Sequence, residues 1–226
     1  MDLNNKNLWI INISGVEVWI TETIVNTWII MLMLVIFAAI VRIKLRKFAQ
    51  VPTGFQNVIE AVVETFDNFV KNCAGEKLAY LGNWFFMVFA FILISNFSGL
   101  MGLRPPTADW ATTFAFAFST LMLIQIVGTA HNGVKYLKSF FEPNPLFLPL
   151  NLIGELSRPI SLSFRLFGNI FAGMIFMSLV YTLLPVYLRL AMPVVLHVYF
   201  DLFCGTLQTY IFCALSLTFI GATSSD

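Results

Sequence analysis

The sequence predicts an all-α polytopic membrane protein with five membrane segments and an amphipathic helix on the cytoplasmic surface. Its last two segments are predicted to form a long, strongly tilted helical hairpin. The 226 residues are 58% hydrophobic and only 11% charged, with a mean hydropathy of +0.83, whereas soluble domains offer water more polar surface. Each segment holds a stretch without charge that reaches the roughly 18 to 20 residues of a spanning helix; these stretches are residues 23–41, 78–103, 110–134, 166–188 and 202–225. We therefore expect one membrane domain over residues 1–226.

The orientation follows from the basic residues. Residues 1–22 are predicted to be an external tail, and residues 23–45 the first span, which lacks the basic leader of a cleavable signal peptide. Cytoplasmic loops carry an excess of Lys and Arg. Threading the five spans puts Arg42, Lys44, Arg46, Lys47, Lys71, Lys77, Lys135 and Lys138 inside, and Lys6, Arg104 and Arg189 outside. The N-terminus is therefore predicted outside and the C-terminus in the cytoplasm.

Residues 52–72 are predicted to be an amphipathic helix rather than a span. Val58, Val62 and Phe66 recur at helical spacing, while Glu60 and Glu64 occupy the other side. Such a helix lies on the cytoplasmic membrane surface or braces other subunits. The alternative is a helix in a soluble loop.

Residues 78–134 are predicted to be an antiparallel pair of spans. They are joined by the segment RPPTAD at residues 104–109, where Pro105 and Pro106 force a non-helical turn. Asp109 is placed to cap the following helix.

Residues 146–222 are predicted to be the tilted hairpin. Each arm is an apolar helical segment of about 35 residues and about 50 Å, which exceeds a hydrocarbon core of about 30 Å and forces a strong tilt. Pro159 and Pro193 can kink the arms, and the turn falls near Pro185. A hairpin centred there sets Arg165 opposite residue 207, beside Gln208.

Arg165 is the most unusual residue of the chain, because its guanidinium stays protonated and no charge follows until after residue 188. A charge at that depth costs from roughly 3 to more than 10 kcal/mol, and such residues usually face a bundle interior or a water-filled cavity that serves ions or substrates. The alternative is a structural ion pair between helices. Asn169 lies one turn on, and Gly168 and Ala172 thin the helix for close packing.

Glu155, Arg158, His197 and Asp201 are further ionisable residues of the hairpin. Glu155 and Arg158 are spaced to form an ion pair along one helix. The only group at helical spacing from Asp201 is His197, so Asp201 is either a buried, hydrogen-bonded acid or a proton-relay group. Its depth in the membrane favours the relay.

The rest of the sequence excludes several function classes. The three cysteines match no metal-ligand spacing, and no phosphate loop, zinc motif or nucleophile elbow is present. A net charge of +1 offers no footprint for nucleic acid. We therefore expect no metal, no cofactor, no nucleic-acid partner and no catalytic activity of the chain alone.

Two runs carry a resemblance to a known family. The run SLSFRLFGNIFAG at residues 161–173, followed by LQTYIF at residues 207–212, resembles subunit a of the F-type ATP synthase, in its bacterial type. The turn at residues 106–109, the basic stretch after the first span and the chain length also fit. The resemblance covers nearly the whole chain.

The resemblance implies a stator subunit in the bacterial inner membrane, with the hairpin facing a rotating c-ring. Two half-channels would carry protons or sodium ions to and from the ring carboxylates, which makes the chain an essential ion-translocating subunit. Its partners would be the c-ring, the subunit b peripheral stalk, membrane lipid and the translocated ion. Arg165 matches the essential arginine of the family, and Asn169 and Gln208 match its polar neighbours.

The chain departs from the family pattern at two places. Many relatives have an acid or His where this chain has Met174, so the outer half-channel is expected to rely on Asp201 with His197. Some relatives have an acid at the position of Asn151, near the cytoplasmic exit, and here Glu155 follows one turn later. Two other functions stay open: an ion-coupled secondary transporter, which the five-span layout disfavours because inverted repeats come in pairs, and a structural subunit of a respiratory membrane complex.

Overall fold

The computed structural model describes residues 7–13, 16–45, 54–141 and 144–225. Predictions about Lys6, Arg46 and Lys47, and about the starts of the tail and of the surface helix, lie outside the described residues. Five helical stretches are long and apolar enough to cross a membrane: Glu22–Lys44, Glu76–Met101, Trp110–Asn132, Pro145–Leu183 and Met192–Ser224. The predicted fold class, a five-span helical membrane protein, is confirmed.

The described elements follow one another in a simple order. They are β1 (Asn7–Ile13), β2 (Val16–Thr21), α1 (Glu22–Leu45), α2 (Phe55–Ala74), α3 (Gly82–Phe97), α4 (Trp110–Asn132), α5 (Val134–Ser139), α6 (Leu148–Leu183), α7 (Val186–His197) and α8 (Gly205–Ser225). Short 3-10 turns cover Glu76–Leu81, Ser98–Met101, Pro106–Ala108 and Pro145–Phe147, and a π-helical segment covers Val198–Cys204.

The chain divides into two compact units. The first comprises Met1–Ile36, Ala90–Thr113 and Phe164–Tyr210, and the second comprises Phe37–Phe89, Phe114–Ser163 and Ile211–Asp226. Arg165, Asn169, His197, Asp201 and Gln208 all belong to the first unit. Glu155 belongs to the second.

The segment before α1 carries a feature that was not predicted from the sequence. Strands β1 and β2 pair antiparallel, with Ile10 opposite Trp19 and Asn12 opposite Glu17. Isoleucine, valine and tryptophan favour such a pleated ribbon. The hairpin continues into α1 without a linker, since β2 ends at Thr21 and α1 begins at Glu22.

The predicted amphipathic helix is present as α2. In its second half Phe66 and Val70 are buried, and the Phe66 ring meets Phe86 and Phe89 edge-on at 5.2 and 5.6 Å between centroids. Its first half, by contrast, exposes apolar as well as acidic residues. One end of α2 is therefore fixed by aromatic packing.

Hydrogen bonds of polar residues stabilise the turn before α4. The predicted cap is confirmed, because the Ala111 amide donates a hydrogen bond to Asp109 Oδ1 at 3.1 Å. The Asn26 amide of α1 donates to the Arg104 carbonyl at 2.9 Å. The prolines do not remove helical geometry altogether: Pro106 opens a single 3-10 turn, because proline loses no hydrogen bond at the first position of a helix.

The predicted hairpin of the last third is present, with its turn at residues 184–185. Helix α6 has 36 residues and is therefore about 54 Å long, and Pro159 lies inside it. The second arm, however, is interrupted: α7 passes into the π-helical segment before α8 begins. A π-helical stretch widens the helix and rotates every side chain beyond it.

The two arms pack closely around one phenylalanine. The Phe200 ring stacks on Phe176 at 5.6 Å, and a Cβ built on Gly173 would lie 3.2 Å from Phe200 Cβ. A hairpin centred near Pro185 sets Gly173 opposite residue 199, so the observed contact is one residue from the predicted register.

This register is testable by disulfide formation. With the three native cysteines replaced by alanine, the pair Gly173→Cys and Phe200→Cys is expected to cross-link readily under mild oxidation, because disulfides need Cβ atoms about 3.5 to 4.5 Å apart. The control pair, Gly173→Cys with Leu196→Cys, moves one partner by a helical turn and should cross-link poorly on the same gel. Preferential cross-linking of the control pair would show that the arms are shifted.

Candidate functional site

Arg165 lies on an exposed part of α6. Within residues 7–13, 16–45, 54–141 and 144–225, no side chain or carbonyl forms a hydrogen bond or ion pair with its guanidinium. The adjacent residues are well fixed, since Leu166 is fully buried and the Phe164 ring lies 5.9 Å from Trp110. The alternative explanation of Arg165 was a structural ion pair between helices. No such ion pair is seen in the described part of the chain.

Helix α6 has two different faces around this residue. One face is buried, and Ile170 and Met174 pack there with Ala108. The other face is open: Arg165 is exposed, and a Cβ added to Gly168 would meet nothing within 4 Å. Residues of the open face are Phe164, Arg165, Gly168, Ala172, Phe176 and Leu179. Small residues beside a charge allow another helix to approach the backbone closely.

Met174 is 8% exposed and lies in the apolar cluster with Ala108 and Ile170. A carboxylate at this place would lose its water without gaining a polar partner from that cluster, and unpaired buried charges are costly. Its surroundings therefore suit a neutral side chain.

Asn169 and Gln208 share an unusual property. The side-chain amide nitrogen of each is buried and has no hydrogen-bond partner among the described residues. Leaving a buried donor unsatisfied costs about 1 to 3 kcal/mol, so such groups in native proteins call for an explanation. The structure shows no hydrogen bond between Arg165 and Gln208, and their predicted pairing stays a prediction.

Asp201 and His197 are brought together. His197 Nδ1 lies 2.6 Å from Asp201 Oδ2, and the two side chains are 24% and 15% exposed. His197 ends α7 and Asp201 lies in the π-helical segment. The pair can share or pass a proton along this short contact.

A buried polar cluster stabilises the end of the π-helical segment, and the sequence analysis missed it. Asn96 Nδ2 donates to the Gly205 carbonyl at 3.0 Å and to Thr209 Oγ1 at 3.3 Å, while Thr107 Oγ1 donates to Asn96 Oδ1 at 3.0 Å. All three side chains are almost fully buried. The available signal was an asparagine inside a charge-free span, where polar residues usually have a specific partner.

The second unit contains the predicted ion pair and a cavity. Glu155 Oε1 lies 2.8 Å from Arg158 Nη1, and the Arg158 guanidinium covers the Phe219 ring at 5.1 Å. Glu155 and Arg158 both line a cavity of about 360 Å³, together with Tyr136 and Asn151. Glu155 Oε2 is buried and has no hydrogen-bond partner in the described ranges.

Tyr136 is an uncharged group in the lining of this cavity. Burial, aided by the nearby Glu155 charge, raises the pKa of the Tyr136 phenol, against a smaller lowering by its hydrogen bond to Gln125. Tyr136 therefore stays protonated, so that among the described residues that line the cavity only Glu155 and Arg158 carry a charge.

Among the described residues, no three His, Cys, Asp or Glu side chains come together to hold a metal ion. The arrangement instead offers a fixed positive charge, a hydrogen-bonded acid and imidazole, and buried amides with free donors. These groups bind or move small ions and protons.

Comparisons with known proteins identify what this chain is similar to. The family model described as ATP synthase A chain matches residues 24–221. ATP synthase subunit a of Moorella thermoacetica is 37% identical over 203 residues, covering 89% of each chain. The protein of Propionigenium modestum named ATP synthase subunit a, sodium ion specific, is 35% identical over 231 residues, covering 92% of this chain and 75% of that protein. ATP synthase subunit a 2 of Acaryochloris marina is 32% identical, covering 91% of this chain and 86% of that protein.

Proposed function

The chain belongs to the ATP synthase subunit a family, and we propose that it is the stator subunit whose two half-channels carry protons or sodium ions to and from the carboxylates of a rotating c-ring. Because the chain belongs to this family, we prefer this function to the two alternatives considered above, a secondary transporter and a structural subunit of a respiratory complex. The observation that carries the proposal is Arg165, a permanent charge exposed on the open face of α6 without a partner in the described part of its own chain.

Arg165 suits the point at which a ring carboxylate releases its ion. A fixed positive charge favours the anionic form of an approaching acid, and at 4 Å the attraction is about 4 kcal/mol for an effective dielectric constant of 20. The carboxylate therefore gives up its ion beside Arg165 and must be neutralised again before it faces lipid. The same charge blocks ions from passing directly between the half-channels. Lysine would serve less well, because it loses its proton when desolvated.

Asp201 and His197 form the entry path of this proposal. Because Met174 is packed in an apolar cluster, Asp201 is the acid that can take up an ion there, and His197 holds its carboxylate at 2.6 Å. The unsatisfied amides of Asn169 and Gln208 would donate to water or to the ring carboxylate as it passes. Both uses explain why these donors lack a partner among the described residues.

Glu155 forms the exit path. It lines the cavity of about 360 Å³ in the second unit, and its second carboxylate oxygen has no hydrogen-bond partner among the described residues. A polar cavity of this size holds several waters. Arg158 holds the first carboxylate oxygen, Oε1, at 2.8 Å, so Oε2 offers an ion leaving the ring an acceptor on its way out.

The proposal places the chain in the bacterial inner membrane with its N-terminus outside and its C-terminus in the cytoplasm. The c-ring would meet the open face of α6, and the subunit b stalk and lipid would cover other surfaces. Each charge that crosses supplies about 2.3 kcal/mol per 100 mV. The chain itself makes no ATP, which is formed on other subunits of the complex.

Replacing Arg165 is the direct test of this function. Arg165→Ala and Arg165→Lys are expected to abolish ion-driven ATP synthesis in membrane vesicles, because the ring carboxylate then loses the charge that makes it release its ion. Assembly should persist, since no described residue bonds to the side chain. Arg42→Ala removes an exposed charge of α1 and should leave synthesis unchanged. Normal synthesis in Arg165→Ala vesicles would refute the proposal.

The entry path is tested by Asp201→Asn. Passive proton conduction, or Na⁺ flux if that is the ion, should fall by about a hundredfold in membranes stripped of the catalytic head, because proton transfer by a positioned acid contributes at least that much. Asp201→Glu should retain much of the flux. Asp67→Asn, an exposed change of the same kind on α2, is the control. Wild-type flux in Asp201→Asn would show that entry depends on water and neutral groups alone.

A further inference from the structure

The 3-10 turn Ser98–Met101 and the π-helical segment Val198–Cys204 are packed unusually closely. A Cβ built on Gly99 would lie 2.8 Å from Asp201 Oδ2, 3.0 Å from its Cγ and 3.2 Å from Oδ1. Real Cβ atoms do not approach other atoms at the shortest of these distances. The Asp201 carboxylate therefore occupies the space that a side chain at position 99 would fill.

A second close contact has the two roles reversed: here the glycine belongs to the second arm of the hairpin, and the polar side chain belongs to the region around the 3-10 turn. A Cβ built on Gly205 would lie 2.9 Å from Asn96 Cβ, and Asn96 donates to the Gly205 carbonyl. Asn96 lies at the end of α3, just before the 3-10 turn, and Gly205 begins α8, just after the π-helical segment. The π-helical segment is therefore in close contact at its middle, through Asp201, and is followed by a second close contact at Gly205.

The turn that carries Gly99 has little freedom to move away. The Gly102 amide donates to the Gly99 carbonyl at 3.0 Å and the Leu103 amide donates to the Ser98 carbonyl at 3.2 Å, while Ser98 Oγ donates to the Ser95 carbonyl at 2.7 Å. Gly102 closes the turn at a φ of 73°, which side chains other than glycine rarely adopt. A group added at position 99 would move Asp201 rather than the turn.

We propose that Gly99 is a positioning residue for ion uptake, because its bare backbone forms the wall that sets where the Asp201 carboxylate stands. His197 holds the carboxylate from its own helix, and Gly99 limits it from the facing segment. This inference rests on the proposed role of Asp201 in the entry path. It adds that a residue with no side chain and no titratable group controls that path.

The first experiment adds a side-chain carbon at position 99, where the Asp201 carboxylate now lies. In head-stripped membrane vesicles, Gly99→Ala is expected to lower passive ion conduction per assembled complex by about tenfold or more, because displacing a reacting group by about 1 Å carries a cost of this order. Assembly is quantified by the amount of complex recovered with the head. Gly221→Ala is the matched control, because its Cβ would meet Ala74 Cα at 2.9 Å, far along the chain from Asp201. Gly221→Ala should disturb packing equally and leave conduction per complex near wild type.

The second experiment moves the carboxylate across the contact. Asp201→Gly alone should conduct poorly. Adding Gly99→Asp should restore a large part of the flux, since its carboxylate would stand about where the Asp201 carboxylate now lies, one bond beyond Cβ. Adding Gly99→Asn, which has the same size and no charge, should restore none.

The outcomes separate this inference from the function on which it rests. Full conduction in Gly99→Ala, an equal loss in Gly221→Ala, or equal conduction with Asp and Asn at position 99 would each overturn the positioning role while leaving the Asp201 path intact. If Asp201→Asn itself conducts like wild type, the entry path is wrong and the inference falls with it.

Discussion

The structure depends on one electrostatic constraint: a guanidinium that cannot lose its proton is carried in the middle of a 36-residue apolar helix. The cost of such a charge in hydrocarbon, from roughly 3 to more than 10 kcal/mol, has to be offset by something outside the chain or by water. Within the described ranges the subunit supplies no counter-charge to Arg165. The open, small-residue face around it is where a charged partner can come close.

The other polar groups of the first unit divide into two kinds. Asn96, Thr107 and Thr209 satisfy one another and the Gly205 carbonyl, and this cluster fixes the π-helical segment. The amides of Asn169 and Gln208, by contrast, keep free buried donors in the described structure. The first kind builds the frame, and the second leaves hydrogen-bonding capacity for a passing ion, water or carboxylate. Asp201 combines the two properties, because contacts on two sides fix its carboxylate and the carboxylate can still take up or release a proton.

Much of this could be predicted from local sequence. Span number follows from the length of the apolar stretches, the cap from Asp109 before its helix, the hairpin turn from Pro185, and the Asp201–His197 contact from four-residue spacing. These features depend on residues near one another in the chain.

Some of the features that were missed depend on residues far apart in the chain. The Asn96 amide that donates to the Gly205 carbonyl, just beyond the π-helical segment, is 109 positions away from it, and Gly99 has no chemical signature in a sequence. The β1–β2 hairpin was missed because short strands next to a long apolar helix are easily taken for a tail. The pairing of Arg165 with Gln208 stays a prediction; it was drawn for a regular α-helix, and the π-helical segment changes the rotation of all residues beyond it.

The central claim is that the charge of Arg165 is balanced by a carboxylate of the neighbouring ring. A high-resolution structure of the assembled complex in a lipid bilayer measures this directly, as the distance from the Arg165 guanidinium to the nearest ring carboxylate. The account predicts that one ring carboxylate comes within about 4 Å, the range of an ion pair, or is joined to it by a single water. An Arg165 that faces lipid, or that pairs with an acid of its own chain while every ring carboxylate stays distant, would contradict it.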